Sequence, residues 1–195
     1  PQDGIRDAQE SRGLGDVYKR QIDTELYTLD ETDVLYPDRS IVVGKIEPRK
    51  RQTFLQHKDL NIDFIGNNAD SSFDELDPHY LGEQSKQDIM DNLTAYASMV
   101  LLSSGEAHPF VCLEGMAAGL GLVLSEQSTA NLDVSQPFIT VIPDNKLDDT
   151  TYLNQKIKEN RKISLSMRKE IKKYCLDNFD WSSIIKQYKS IIESI

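Results

Sequence analysis

The stretch MVLLSSGEAHPFVCLEGMAAGLGLVLSE, residues 99–126, reads as strand, loop, helix and strand in one continuous unit. MVLLSS (99–104) is a short apolar run of the kind that forms a buried strand, and GLVLSE (121–126) is another. Between them Pro109 is expected at the first helical position, where a missing amide costs nothing. Leu113, Met116, Ala117 and Leu120 follow as a core stripe at helical spacing, and Gly115 and Gly119 allow close approach. Two apolar strands joined through a helix form a crossover unit, in which the strands run parallel.

The same alternation extends in both directions. SIVVGKI (40–46) is a β-branched strand ending in Gly-Lys, and EPRKRQTFLQHKDL (47–60) opens with Pro48 and continues helically. IDFIG (62–66) and HYLGE (79–83) read as strands. SKQDIMDNLTAYAS (85–98) reads as a helix capped by Ser85, with Ile89, Leu93, Tyr96 and Ala97 on its apolar side. FITVIPD (138–144) is a further strand, and helical stretches at 149–160, 164–178 and 181–194 close the chain. The expected class is α/β: a Rossmann-like parallel sheet with helices on both faces and closing C-terminal helices. The organisation read from this pattern is a tail over 1–21, a connecting linker over 22–39 and one Rossmann-like domain over 40–195.

Residues 1–21, PQDGIRDAQESRGLGDVYKRQ, lack apolar periodicity and read as coil. SRGLGDVYKRQ back-translates to a sequence resembling a transposase-type sequencing adapter, and DGIRD resembles the adjoining primer. The segment is therefore set aside as translated library sequence. It holds four acids and four bases, so the net charge of −10 is unchanged without it.

With that charge and no basic stripe, a nucleic-acid polymer is an unsuitable ligand, although a small phosphate site is not excluded. No apolar run approaches the roughly 20 residues of a membrane span. Cys112 and Cys175 lie in apolar surroundings, as reduced thiols of a cytoplasmic protein would. Cys112 has no partner histidine, which argues against a thiol nucleophile. His57, His79 and His108 share no ligand spacing with each other or the cysteines, so no metal site is expected, and no Asp-x-Asp occurs.

Open α/β sheets bind ligands beyond the carboxyl ends of their strands. The loop SSGEAHP lies at such an end and leads into a helix whose first amides, those of Phe110, Val111 and Cys112, are expected free and at the positive end of the macrodipole. Glu106 in that loop can accept bonds from hydroxyls, and Glu114 can accept two vicinal hydroxyls of a ribose. Taken alone, a solvated loop acid and a surface helix residue explain the pair as well.

GEAHPFVCLEGMAAG resembles the Glu-x7-Glu motif of the family-4 (group 1) retaining glycosyltransferases, with Gly115-Met116-Ala117-Ala118-Gly119 in place of Ala-Met-Ala-x-Gly. IDTELY (22–27) resembles the end of that family's interdomain linker. VVGKIEPRKRQTFL (42–55) resembles the opening of its donor domain, and FDWSSIIKQYKSII (179–192) its closing Phe-x-Trp…Tyr helix. The resemblance covers residues 22–195 and implies the C-terminal half of a GT-B fold.

By this resemblance Glu114 is the ribose-binding glutamate, Glu106 contacts the transferred sugar, and the amides of Phe110 and Val111 face sugar and phosphate. Lys50 neutralises the diphosphate as the nucleotide leaves. Lys45 replaces the usual arginine as a second phosphate contact, giving up a planar fork for a point charge. His108-Pro109-Phe110 replaces a Gly-Phe-Gly style of loop; His108 can bond a sugar hydroxyl or stand exposed.

The implied activity is transfer of a hexose from a nucleoside-diphosphate sugar, as co-substrate and without cofactor, to a glycan, lipid or small-molecule hydroxyl, as in polysaccharide biosynthesis. The implied partner is a missing N-terminal GT-B domain, without which this piece would catalyse little, and the full-length enzyme would associate peripherally with membranes. A GT-B sugar-nucleotide epimerase and a non-catalytic nucleotide-binding module are the alternatives. The closing helices are expected to leave an apolar patch, around Trp181 and Ile185, where the missing domain would pack.

Overall fold

The computed structural model describes residues 21–29, 34–107 and 109–193; the tail over 1–20 and His108 lie outside the described residues. The strands are β1 (Tyr36–Val43), β2 (Ile62–Ile65), β3 (Tyr96–Leu101), β4 (Gly121–Ser125) and β5 (Ile139–Ile142), and the helices are α1 (Gln52–Gln56), α2 (Lys86–Asn92), α3 (Phe110–Ala117), α4 (Thr150–Ser166), α5 (Arg168–Phe179) and α6 (Trp181–Glu193). The five strands form one sheet in the order β2-β1-β3-β4-β5, parallel throughout. The α/β, Rossmann-like expectation therefore holds. The chain moves from β1 to one side and then returns to the other, so the order reverses between β1 and β3.

The buried stretches of the strands are largely apolar on both faces because both faces are covered, whereas β1 opens with the exposed Tyr36, Pro37 and Asp38. Ile41, Val43, Met99, Leu101, Leu122 and Leu124 face a core completed by residues of α2, α3 and α5, such as Met90, Leu113, Met116 and Ile171. Val42, Phe64, Val100 and Val123 face the opposite core with Leu55 of α1 and Leu153 and Ile157 of α4.

Several boundaries differ from the sequence reading. HYLGE forms no strand; it pairs with β2 through one parallel bridge, Phe64 to Tyr80, and just beyond it the Gly66 amide donates to the Gly82 carbonyl at 2.9 Å. The helix begun at Ser85, whose hydroxyl accepts from the Asp88 amide, stops at Asn92. Tyr96 and Ala97, assigned to it by spacing, start β3 instead. A strand buried on both faces and a buried helix carry the same apolar run, so periodicity alone misplaced the join. The helix expected after Pro48 is a 3-10 turn over Pro48–Lys50, broken from α1 by Arg51 at φ 58°.

Residues 22–27, read as linker, pack on the domain. Ile22 and Tyr27 are buried, and Ile22 pairs with Asp180. The buried Asp180 carboxylate accepts from the Thr24 amide (3.0 Å) and hydroxyl (2.8 Å) and from the Ser182 amide (2.8 Å). It thereby caps α6 and ties the segment down. Although burial opposes ionisation, these bonds hold its pKa at about 2. On α6, Trp181, Ile185 and Ile192 are 51%, 48% and 70% exposed, an apolar face open among the described residues.

Candidate functional site

The crevice at the carboxyl ends of β1 and β3 sits where the strand order reverses, the place where open parallel sheets hold ligands. A cavity of about 300 Å³ there is lined by Gly44, Lys50, Glu106, Pro109, Phe110, Val111 and Glu114, among others. The structure thus brings together five of the seven residues singled out from sequence. Lys45, exposed, instead lines an adjoining cavity of about 250 Å³ with Gly66, Asn67, Glu83 and Ile89. The two cavities share Val43 and Gly44, so they are lobes of one cleft.

Gly44 makes room for the cation. Its φ of 134° is a conformation side chains rarely adopt, and a Cβ built there would lie 2.8 Å from the Lys50 ammonium and push it aside. Gly66 allows the next strand to come close: a Cβ there would fall 2.2 Å from the Gly44 carbonyl. Among the described residues the Lys50 ammonium takes no hydrogen bond or ion pair, which leaves it available to an anion.

The helix entry differs by one step from expectation. Pro109 is the residue before α3, not its first, and its carbonyl accepts the Cys112 amide at 3.0 Å. Among the described residues two free amides remain, those of Phe110 and Val111, rather than three. Both residues line the cavity together with Lys50. An amide pair and an ammonium around one space form a site for an anion such as a diphosphate.

The two glutamates are held by different means. Glu106 Oε1 accepts from Arg49 at 3.0 Å, and its own amide donates to the Gln127 carbonyl at 3.0 Å. Glu114 Oε1 accepts from the Tyr27 hydroxyl at 2.9 Å. Burial raises the Glu114 pKa above the ordinary carboxylate range, against the bond from Tyr27 and the charge of Lys86. Burial likewise raises Tyr27, aided by the neighbouring carboxylate. Each carboxylate thus has one oxygen committed inside the protein, while its residue lines the cleft.

Sequence reasoning missed both partners. Arg49 is one of three consecutive basic residues with nothing to distinguish it, and Tyr27 lies 87 residues from Glu114. Cys112 lies on the buried side of α3, where burial pushes its thiol up, away from the thiolate a nucleophile would need. His79 Nδ1 lies 2.6 Å from Asp63, on β2, and His57 is exposed. Among the described residues no group of three or more His, Cys, Asp and Glu is placed to hold a metal ion, and no helix is long and apolar enough to cross a membrane.

No protein-family model and no curated protein matches the sequence. Solved structures do. Sucrose-phosphate synthase from Thermosynechococcus elongatus is similar with a TM-score of 0.64 at 14% identity, over 90% of this chain and 51% of that one. The lipopolysaccharide outer core galactosyltransferase WaaB, in its apo form, gives 0.63 at 14% identity, over 90% and 54%. HepE of Anabaena, in complex with UDP-glucose, gives 0.59 at 19% identity, over 90% and 56%. The chain spans about half the length of these structures. At such identities the likeness establishes the fold: this chain has the Rossmann-like, C-terminal half of the GT-B glycosyltransferase architecture.

Proposed function

We propose that this chain is the donor-binding half of a retaining glycosyltransferase, which moves a hexose from a nucleoside-diphosphate sugar to an acceptor hydroxyl. The observation that carries the reading is the convergence of Lys50, the free amides of Phe110 and Val111, and the carboxylates of Glu106 and Glu114 on one cavity. The amides and Lys50 would take the diphosphate and stabilise the charge that builds on it as the sugar bond breaks. Glu114 would accept ribose hydroxyls. Glu106, at the mouth of the β3 loop, would accept hydroxyls of the sugar being transferred. Lys45, lining the adjoining lobe, would be a second contact to the phosphates. The acceptor site would be completed by the half of the architecture that this chain does not span. The likeness to enzymes solved with UDP and UDP-glucose supports a uridine donor as the first to test.

Isothermal titration of the chain with UDP and UDP-glucose tests the reading. Both are expected to bind, and Glu106→Gln is expected to weaken UDP-glucose about 5- to 20-fold, a loss of about 1–2 kcal/mol, while leaving UDP within about twofold. Equal losses for both ligands would remove Glu106 from the sugar. Absence of binding by UDP, UDP-glucose and the corresponding guanosine and adenosine donors would overturn the proposal.

A further inference from the structure

The turn carrying Lys50 and the loop carrying Glu106 come from distant parts of the sequence, yet they are joined at several points. The Arg49 carbonyl accepts the Ser104 amide at 2.8 Å, and Arg51 donates to the Leu102 carbonyl at 3.0 Å. The Arg49 guanidinium itself meets four acceptors: Ser103 Oγ at 3.3 Å, the Gly105 carbonyl, Glu106 Oε1 at 3.0 Å and Glu47 Oε1 at 2.8 Å. Three of the four lie on the loop after β3, and the fourth lies on the same turn as Lys50. A planar fork with this many fixed partners has little freedom of its own, so the group it grips inherits its position. Burial alone would lower the guanidinium pKa, but the Glu106 charge and the bonds to Glu47 and Glu106 raise it. Oε2 of Glu106 takes no donor among the described residues.

We propose that Arg49 is a positioning residue: it fixes one oxygen of Glu106, leaves the other for a sugar hydroxyl, and locks the Glu106 loop to the turn that presents Lys50. It would thereby set the spacing between the phosphate-binding and sugar-binding parts of the cleft, at a point where a lone glutamate on a loop would swing. The inference rests on the donor-binding reading for its functional half, and on the ligand-free geometry for its structural half.

Two measurements on the full chain separate these halves. The first needs no ligand. Backbone amide relaxation in Arg49→Ala is expected to show Gly105, Glu106 and Ala107 gaining motion on the nanosecond scale, with β3 and α3 unchanged, and Arg49→Lys restoring part of the rigidity. A loop as ordered in Arg49→Ala as in the parent would overturn the positioning role whatever the chain binds.

The second is a double-mutant cycle on titration with UDP-glucose and UDP. Arg49→Ala is expected to weaken UDP-glucose about 3- to 10-fold and UDP less than twofold, and to add nothing in the Glu106→Gln background. Equal weakening of UDP and UDP-glucose would make Arg49 a phosphate ligand instead. Full additivity with Glu106→Gln, or tighter sugar-nucleotide binding on loss of Arg49, would also overturn the proposal. If the parent chain binds neither nucleotide while the relaxation result stands, the donor-binding reading fails and the loop lock survives it.

Discussion

The two ends of the parallel sheet treat their polar groups in opposite ways. At the amino ends of the strands, side chains from α4 and α5 occupy the backbone. Arg168 donates to the carbonyls of Tyr96 (2.9 Å) and Thr94 (2.6 Å), and Arg161 to those of Leu60 and Asn61, both at 2.7 Å. Asn160 donates to the carbonyls of Leu122 and Phe138, each at 3.0 Å, and Ser164 accepts the Gly121 amide at 2.7 Å. Arg161 and Arg168 are both buried, and burial pushes Arg161 down to about 10. At the carboxyl ends, by contrast, the Phe110 and Val111 amides and the Lys50 ammonium have no partner among the described residues, and glycine opens the space around them. Buried polar groups must be satisfied by something. At one end the protein itself takes up the strand carbonyls, with only the buried Asn160 Oδ1 left over on the acceptor side among the described residues, and that end is scaffold; the other is left for a ligand and is site.

This contrast can be broken most forcefully at the closed end. Arg168→Met should leave two or three carbonyls without a donor, at about 1–3 kcal/mol each, and cost about 3 kcal/mol or more of stability. Urea unfolding would measure it, and a loss under about 1 kcal/mol would show that water readily takes over those carbonyls. Nucleotide affinity of the folded fraction should not change.

At the open end the expectation reverses. Glu114→Gln should weaken UDP binding about 10- to 100-fold, or about 1.4–2.7 kcal/mol, without loss of fold. The sign of the stability effect follows from the raised pKa of Glu114. A carboxyl that holds its proton more tightly when folded is destabilising once ionised, and stability falls as pH rises through and above the ordinary carboxylate value. The neutral amide removes that cost and still accepts from Tyr27, so the thermal midpoint should stay level or rise. A Gln variant that unfolds would make Glu114 a structural residue.

The smallest effect is expected at Asp180, where the protein satisfies a buried carboxylate fully. Its pKa is held at about 2, below the ordinary 3.8, so its contribution is present above pH 4 and lost as pH falls from 4 toward 2. Asp180→Asn should cost about 1–2 kcal/mol at neutral pH, with the gap to the parent closing across that acid window. A gap that stays constant to pH 2 would assign the effect to packing of the Thr24 contact and not to charge.

What could be read in advance divides along the same line. Strand and helix content and the parallel sheet were legible because apolar periodicity and local spacing carry them; the Glu-x7-Glu pair stood out only through the family resemblance. The short bridge at Tyr80 and the start of β3 were not, because a buried strand, a buried helix and a loop edge share one apolar vocabulary. Arg161 and Arg168 look like solvated basic residues on amphipathic helices, and only the packed sheet reveals them as donors to strand ends.

The sequence by itself determined where the cleft would form: a parallel α/β sheet leaves free helix amides and loop side chains at one end, and local pattern dictates that end. Only the tertiary structure decided how the cleft is held. Arg49 meets Glu106 across 57 positions, and Tyr27 meets Glu114 across 87. No local spacing encodes such pairs, because their geometry exists only after the strands have brought distant loops within hydrogen-bonding reach.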